Sequence, residues 1–171
     1  MNKKKIEAFV ESYKQKDKLK FILDSNIFDE IVAGNLKIDD LVMFKNKENA
    51  EFYVTHIQVD EINKCSDTEK RAKLFLFMTK ISPIIVPTES AVLGISRIGE
   101  AKLSNGDLLE KLRKGNIKHT EDALIGETAI KEKLILITND NTLRKRVISN
   151  GGKAFNLEEF KKIMSDNGMV A

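Results

Sequence analysis

Short, continuously apolar runs recur along the chain and constrain its fold more than any other feature. A strand buried on both faces of a parallel sheet has an unbroken apolar run of this kind. We therefore predict four such strands and a short fifth strand at an edge of the sheet. In chain order they are LKFIL (19–23), EFYV (51–54), PIIVP (83–87), LILIT (134–138) and KAF (153–155).

The segments between these runs carry apolar residues at helical rather than alternating spacing. Strands that alternate with helices form right-handed βαβ units and a mostly parallel sheet. The predicted fold class is therefore α/β, a three-layer α/β/α sandwich around a sheet of four to five strands. The predicted helices cover about 26–33, 38–46, 56–64, 68–80, 89–102, 106–114, 120–132, 141–149 and 157–165.

One domain accounts for the whole chain. Its 171 residues can bury a sizeable core, and no low-complexity tract or proline-rich linker marks a boundary. Residues 3–16 place their apolar side chains on one helical face and predict an extra N-terminal helix. We expect a single domain over 1–171, with a helical extension over 1–18 and a core over 19–160.

Composition excludes several classes of protein. The single cysteine, Cys65, cannot form an internal disulfide, and with only His56 and His119 it cannot build a zinc site of the usual kinds. Acidic residues interrupt the N-terminal apolar pattern, so we expect neither a signal peptide nor a membrane span, and a cytoplasmic location. The net charge of +3 favours an anionic partner only mildly.

Two predicted strands are closely followed by an acid. Asp24 follows KFIL, and Asp140 follows LILI after two polar residues. Ligands of parallel α/β sheets bind beyond the carboxyl ends of the strands. These two acids therefore belong to a candidate site.

A third acid, Glu61, lies on a predicted helix. Thr55 and Gln58 have the spacing of a capping box, so a helix starts at Thr55. At about 100° per residue, Glu61 falls on the apolar face and Asp60 turns toward solvent. Glu61 is therefore expected to point inward.

The fourth acid, Asp122, lies in the first turn of a helix that we expect Thr120 to cap. On the helical wheel it shares the apolar face with Gly126 and Ala129, whereas Glu127 lies beyond that face. The two small residues would let this helix lie close to the sheet. Asp122 is therefore a second inward-facing acid.

Each acid also has a purely structural interpretation. Asp24 and Asp140 suit helix caps, Asp122 suits the positive end of a helix dipole, and Glu61 suits an ordinary helix position. Four unrelated structural roles do not explain why strand ends and inward faces coincide. Carboxylates that share a site need a cation or must stay protonated, and Mg²⁺ or Mn²⁺ is bound through such oxygen ligands.

Several blocks of the sequence together resemble the PIN-domain ribonucleases, a family that includes the toxins of many bacterial toxin–antitoxin pairs. The resemblance spans about residues 19–160. The order and spacing of the third and fourth blocks are its specific part. The blocks are ILDSNIF, VTHIQVDEI, EDALIGETAIKEKLILITND and NGGKAFNLEEF.

The resemblance implies a function and a site. It implies a metal-dependent endoribonuclease that leaves a 5′-phosphate and a 3′-hydroxyl, with Mg²⁺ or Mn²⁺ as cofactor. Asn26 and Thr138 match polar positions that support the acids. The implied metal-binding and catalytic set is Asp24, Glu61, Asp122 and Asp140.

The partners expected on this basis are RNA, an antitoxin protein and a second copy of the chain, with no membrane. Neither the extension at 3–16 nor the segment 88–118 matches the family, and both leave the toxin role and the substrate open. Basic residues flank the acids in sequence and would contact phosphates in a salt-dependent manner, or would simply be solvated. They are Arg113, Lys114, Arg144, Lys145 and Arg146.

Other nucleotide and phosphate chemistries fit less well. A haloacid-dehalogenase phosphatase needs a second acid two positions after the first, where this chain has Asn26, and a receiver domain needs an acidic pair there. Neither a dinucleotide-binding glycine motif nor a P-loop is present. The alternative that stays open is a catalytically silent PIN-like module that binds RNA or a protein.

Overall fold

Five parallel strands form one sheet in the computed structural model, which describes residues 18–47 and 50–166. The helix predicted over residues 3–16 lies outside the described residues. The order across the sheet is β3-β2-β1-β4-β5, so β1 lies in the middle and the later strands lie on both sides of it. The strands are β1 (Lys20–Leu23), β2 (Glu51–Val54), β3 (Ile84–Ile85), β4 (Ile135–Ile137) and β5 (Lys153–Phe155).

The register of the sheet aligns the ends of its strands. Leu23 pairs with Ile137, and Ile137 pairs with Phe155. Because all strands are parallel, the residues that follow β1, β2 and β4 leave the sheet at one edge. This carboxyl edge carries Asp24 directly after β1 and Thr138 directly after β4.

Helices cover both faces of the sheet and complete the predicted three layers. One face packs against α1, α2, α4 and α8, the other against α5, α6 and α7, and α3 contributes a buried isoleucine to each side. The helices are α1 (Ser25–Val32), α2 (Ile38–Lys47), α3 (His56–Asn63), α4 (Thr68–Ile81), α5 (Asp107–Arg113), α6 (Thr120–Lys131), α7 (Asn141–Ser149) and α8 (Leu157–Asp166). No helix among the described residues is long and apolar enough to cross a membrane.

An aromatic cluster anchors the first of these faces. Phe21 of β1 and Phe52 of β2 pack against Phe44 of α2 and Phe160 of α8, with ring centroids 5.2 to 6.5 Å apart. All four side chains are essentially fully buried. Aromatic pairs at such spacings add to the stabilisation from buried apolar area. The cluster holds β1, and with it the start of α1, in a fixed position.

The prediction of a helix over 89–102 is wrong. This segment is irregular, and Thr88 pairs with Ala101 in an isolated parallel bridge. Gly94 and Gly99 adopt positive φ angles of 80° and 83°, which interrupt a helix. Serine hydroxyls also capture the backbone locally, as where Ser96 Oγ accepts from the Val92 N–H at 2.9 Å.

The cap predicted for the helix that carries Asp122 is also wrong. A 3₁₀ turn (Ile117–His119) runs directly into α6, so Thr120 is the first helical residue rather than its cap. The Thr120 hydroxyl donates to the Ile117 carbonyl at 2.6 Å instead of accepting from the helix. The local spacing resembled a cap because threonine also suits a turn of this kind.

The environment of α6 differs from the helical-wheel prediction in two ways. Glu127, which the wheel placed beyond the apolar face, is only 1% exposed, because the irregular segment and α5 cover that side. Gly126 permits close approach to α7 rather than to the sheet. A Cβ at Gly126 would lie 3.0 Å from Val147 Cγ2 and 3.2 Å from Leu143 Cδ1.

Candidate active site at the carboxyl edge of the sheet

Asp24 is the most buried acid of the site, with 5% of its surface exposed. It leaves β1 in an extended conformation and caps α1, since its Oδ1 accepts from the Ser25 N–H at 2.8 Å. Its Oδ2 accepts from the Thr138 hydroxyl at 2.6 Å and from the Asn26 amide at 2.7 Å. Asn26 and Thr138 therefore both contact Asp24 directly, and their supporting role in a functional site stays a prediction.

The end of β4 delivers the second acid. Asp140 caps α7, and its Oδ1 accepts from the Thr142 and Leu143 N–H groups at 2.6 and 3.1 Å. The hydroxyl of Thr138 accepts from the Asp140 N–H at 3.0 Å while it donates to Asp24. One threonine thus connects the acids that follow β1 and β4.

Glu61 reaches the site from α3, whose predicted capping box is present. Ser25 Oγ donates to Glu61 Oε2 in a short hydrogen bond that joins the first turn of α1 to α3. Burial raises the pKa of Glu61 to about 7, while the bond from Ser25 lowers it. The negative charges of Asp24, Glu121 and Asp122 add to the rise in its pKa. Glu61 therefore points inward, as predicted, toward other acidic side chains.

Asp122 lies in the first turn of α6, and about a third of its side chain is exposed. Burial raises its pKa to about 6, and the charges of Asp24 and Asp140 contribute to that rise. His119 Nδ1 lies 3.8 Å from Asp122 Oδ2 and lowers the pKa. Asp122 thus shares the electrostatic environment of the acids that follow β1 and β4.

The pKa of Asp24 is also raised, chiefly by burial and in part by the charge of Asp140. Its hydrogen bonds from Thr138, Ser25 and Asn26 oppose this rise. The charge of at least one other acid of the predicted set therefore contributes to the raised pKa of Asp24, Glu61 and Asp122. No lysine or arginine within residues 18–47 and 50–166 forms an ion pair with any member of this set.

The donor chemistry of the set fits a hard divalent cation, which prefers carboxylate and hydroxyl oxygens over nitrogen or sulfur. A closed cage is not formed, however. In the described part of the chain, no group of three or more His, Cys, Asp or Glu side chains is arranged closely enough to hold a metal ion. Hydrogen bonds explain part of this, because both oxygens of Asp24 and one oxygen each of Glu61 and Asp140 bind protein donors.

The basic residues named from the sequence have different environments. Arg144 pairs with Glu159 at 3.2 Å and Arg113 pairs with Glu110 at 2.7 Å, so local acids already neutralise both guanidinium groups. Lys114 and Lys145 are exposed, and Arg146 is half-buried. A role for these five residues in binding substrate stays a prediction.

Two residues of the site were missing from the predicted set. One is Ser25, whose hydroxyl binds Glu61. The other is Asn139, whose N–H donates to Asn26 Oδ1 at 3.2 Å and whose amide donates to Glu30 at 2.9 Å. Their positions, directly after Asp24 and directly before Asp140, were the available signal.

Comparison with known proteins supports the fold. No family model and no curated protein matches the chain. Among solved structures, one match is VapBC2 from Rickettsia felis, whose crystal structure contains a DNA fragment from its promoter. The two sequences are 22% identical, the TM-score is 0.53, and the match covers 80% of this chain and 97% of that one. PAE2754 from Pyrobaculum aerophilum is 14% identical with a TM-score of 0.54, covering 86% and 96%.

FitAcB from Neisseria gonorrhoeae is 16% identical with a lower TM-score of 0.39, and the match covers 80% of this chain and 96% of that one. At these identities the first two structures establish architecture alone. Both matches cover at least 80% of this chain and at least 96% of the other. This chain therefore has a PIN-domain fold.

Proposed function

We propose that this protein is a divalent-metal-dependent ribonuclease that hydrolyses RNA phosphodiester bonds and leaves a 5′-phosphate and a 3′-hydroxyl. One observation carries the proposal. Acids follow two strand ends and lie on two helices at the carboxyl edge of the sheet. Burial raises the pKa of Asp24, Glu61 and Asp122, and in each case the charge of at least one other acid of the set adds to the rise. Keeping such a cluster ionised costs free energy unless a cation offsets the charge.

Asp24, Asp122 and Asp140 would hold the principal ion, Mg²⁺ or Mn²⁺, and Glu61 would complete its shell or orient the attacking water. Such an ion lowers the pKa of water and offsets charge on phosphate oxygens. The structural caps formed by Asp24 and Asp140 do not conflict with this role. In both residues the cap uses Oδ1, and Oδ2 of Asp140 stays available. Oδ2 of Asp24 accepts from Thr138 and Asn26, so an ion there would share this oxygen with the two donors.

The chain's own side chains have defined tasks in this proposal. Thr138 and Asn26 hold the Asp24 carboxylate in one orientation. Ser25 holds Glu61 toward the same space. Glu61 Oε1 accepts no hydrogen bond from the described residues, so it is the candidate acceptor of a proton from water.

The decisive assay is cleavage of structured and unstructured RNAs with Mg²⁺ or Mn²⁺, with and without chelator, followed by analysis of the product ends. We expect Asp24→Asn to abolish cleavage and Glu61→Gln to slow it about 100-fold. Asp29→Asn is the matched control, because Asp29 lies on the exposed side of α1 in a surface ion pair with Lys70. Cleavage that survives the chelator would contradict the proposal.

A silent PIN-like module that binds RNA or a protein is the second candidate. It is favoured by the absence of a ready-made metal-binding group among the described residues. The two candidates differ in a direct test. A silent module would retain RNA on a filter but would cut no RNA with either ion, and its RNA binding would not respond to Asp24→Asn.

The cellular role proposed here is that of the toxin in a toxin–antitoxin pair, with an antitoxin protein as partner. The fold of VapBC2, captured with promoter DNA, supports this assignment. A short reading frame beside the gene, whose product relieves growth arrest caused by this protein, is the expected finding. Growth that is unaffected by expression of the active nuclease would contradict the toxin role and leave the nuclease proposal intact.

A further inference from the structure

A pocket of about 280 Å³ lies beside the acidic site and has no role in the function proposed so far. It opens between the second half of α3, the first turn of α6 and the turn of the irregular segment around Gly94. Its lining is Ile57, Asp60, Asn63, Lys64, Gly94, Ile95 and Glu121.

The pocket and the acidic site both involve residues of α3 and α6. Asp60 directly precedes Glu61 on α3, and Glu121 directly precedes Asp122 on α6. Lys64 Nζ binds Glu121 Oε1 at 2.8 Å and so joins these two helices across the pocket. An RNA strand bound at the acids would therefore contact the same two helices that line the pocket.

The charges that line the pocket are already paired. Asp60 forms an ion pair with Arg97 of the irregular segment, and Lys64 pairs with Glu121. The lining consequently carries no uncompensated charge. A phosphate would find neither a free cation nor an excess of positive charge there, whereas an uncharged ring would lose no favourable interaction.

The remaining lining suits a flat heteroaromatic ring. Ile57 lines the pocket with almost no exposed surface, so the half-buried Ile95 supplies its accessible apolar surface. Asn63 is exposed, and its amide makes no hydrogen bond within residues 18–47 and 50–166. An amide places a donor beside an acceptor, the pattern that pairs with the edge of a nucleobase.

We propose that this pocket receives one unpaired nucleobase of the RNA next to the bond that is cut, and that Asn63 reads the edge of that base. The inference rests on the proposed nuclease function and adds a determinant of sequence preference to it. Proteins recognise single-stranded RNA by splaying bases out, holding them between apolar or aromatic side chains and bonding to their edges. The volume is at the small end for ligand pockets, which suits one base.

The first experiment measures cleavage of a set of RNAs that differ in the base at one position at a time. We expect a preference of 10-fold or more at one position adjacent to the cut. Asn63→Leu, which removes the amide at similar volume, should reduce that preference to less than about 3-fold, since one lost base-edge contact discriminates by roughly 1–3 kcal/mol. Equal preference in the variant and the wild type would overturn the role of Asn63.

Asn46→Leu is the matched control. Asn46 occupies the penultimate position of α2, as an exposed asparagine on a helix that packs against the opposite face of the sheet. The control variant should keep the wild-type preference. Reduced preference in both variants would mean that the substitution acts through general destabilisation, and the proposal would fall.

The second experiment does not depend on cleavage. Nucleoside 5′-monophosphates are titrated into the Asp24→Asn protein while the side-chain amide of Asn63 and the backbone amide of Gly94 are followed by NMR. We expect saturable shifts at both amides, larger than those caused by ribose 5-phosphate. Shifts without any cleavage by the wild type would retain the pocket and reject the nuclease.

Cleavage without base preference and without such shifts would retain the nuclease and reject the pocket. Saturation of the same amides by an apolar peptide, with no response to nucleotides, would also reject it and assign the pocket to a protein partner.

Discussion

Thr138 donates a 2.6 Å hydrogen bond to Asp24 although 114 residues separate them in sequence. The bond is buried, and the same hydroxyl accepts from the backbone of Asp140 at 3.0 Å. Parallel pairing of β1 with β4 brings the two residues together at the carboxyl edge of the sheet. A single hydroxyl therefore couples the two strand ends on which the proposed site depends.

Removing this hydroxyl should cost stability. Thr138→Val keeps the shape of the side chain but leaves a buried carboxylate with one donor fewer, and a hydrogen bond to a charged group contributes roughly 2 kcal/mol. We expect the free energy of unfolding to fall by about that amount in urea titrations at pH 7. Thr138→Ser retains the hydroxyl and should lose less than about 1 kcal/mol. Equal losses in the two variants would show that the methyl group, not the hydroxyl, matters.

The contribution of this site to the free energy of unfolding should fall as pH rises, the opposite of the usual trend for carboxylates. Folding raises the pKa of Asp122 to about 6 and that of Glu61 to about 7, so the folded protein binds these protons more tightly than the unfolded chain. Their protonation stabilises the fold at pH values below their ordinary pKa, and this contribution is lost as pH rises through 6 and 7. Protein freed of divalent ions should therefore melt at a lower temperature at pH 8 than at pH 5.5.

The variant Glu61→Gln tests the origin of this trend, because glutamine cannot ionise. The difference in melting temperature between the two pH values should shrink in the variant. A melting temperature that rises from pH 5.5 to pH 8 in the ion-free wild type would contradict the electrostatic account of the acids.

Close packing of α6 on α7 should be sensitive to one methyl group. Gly126→Ala gains about 1 kcal/mol of helix propensity, but its Cβ would lie 3.0 Å from Val147 Cγ2, and overpacking costs about 1–3 kcal/mol. We expect a net loss of about 1 kcal/mol in the free energy of unfolding. Val147→Ala should lose stability alone yet partly relieve Gly126→Ala, so that the double variant is more stable than the sum of the single effects. Strict additivity would mean that the predicted contact is absent.

Much of the site could be predicted from sequence because its signals are local. Asp24 and Asp140 each follow a buried apolar run, and the end of a strand fixes which edge of a parallel sheet they occupy. The capping box of Thr55 and Gln58 sets the start of α3 and thereby the inward direction of Glu61. Such signals need no knowledge of distant segments.

The errors arose where distant contacts decide the structure. Segment 89–102 has helix-compatible spacing, but Gly94 and Gly99 adopt positive φ angles that interrupt a helix. Its irregular path also pairs Arg97 with Asp60 and Lys102 with Glu132, both on other elements. That path then buries Glu127, whose pKa is raised by burial and lowered in part by a hydrogen bond with Ser90. A helical wheel for α6 alone contains no information about this cover.

Binding of a divalent ion by the acids can be measured by titration with Mn²⁺, because the free-ion signal in electron paramagnetic resonance falls as the ion binds. We expect the wild type to bind Mn²⁺ and Asp29→Asn to bind it equally well, whereas Asp24→Asn and Asp122→Asn should lose binding by 10-fold or more while remaining folded. Binding should also strengthen from pH 5.5 to pH 8, because the carboxylates must be deprotonated to hold the ion. A wild type that leaves the Mn²⁺ signal unchanged, or acid variants that bind the ion as tightly as the wild type, would contradict the proposed metal site.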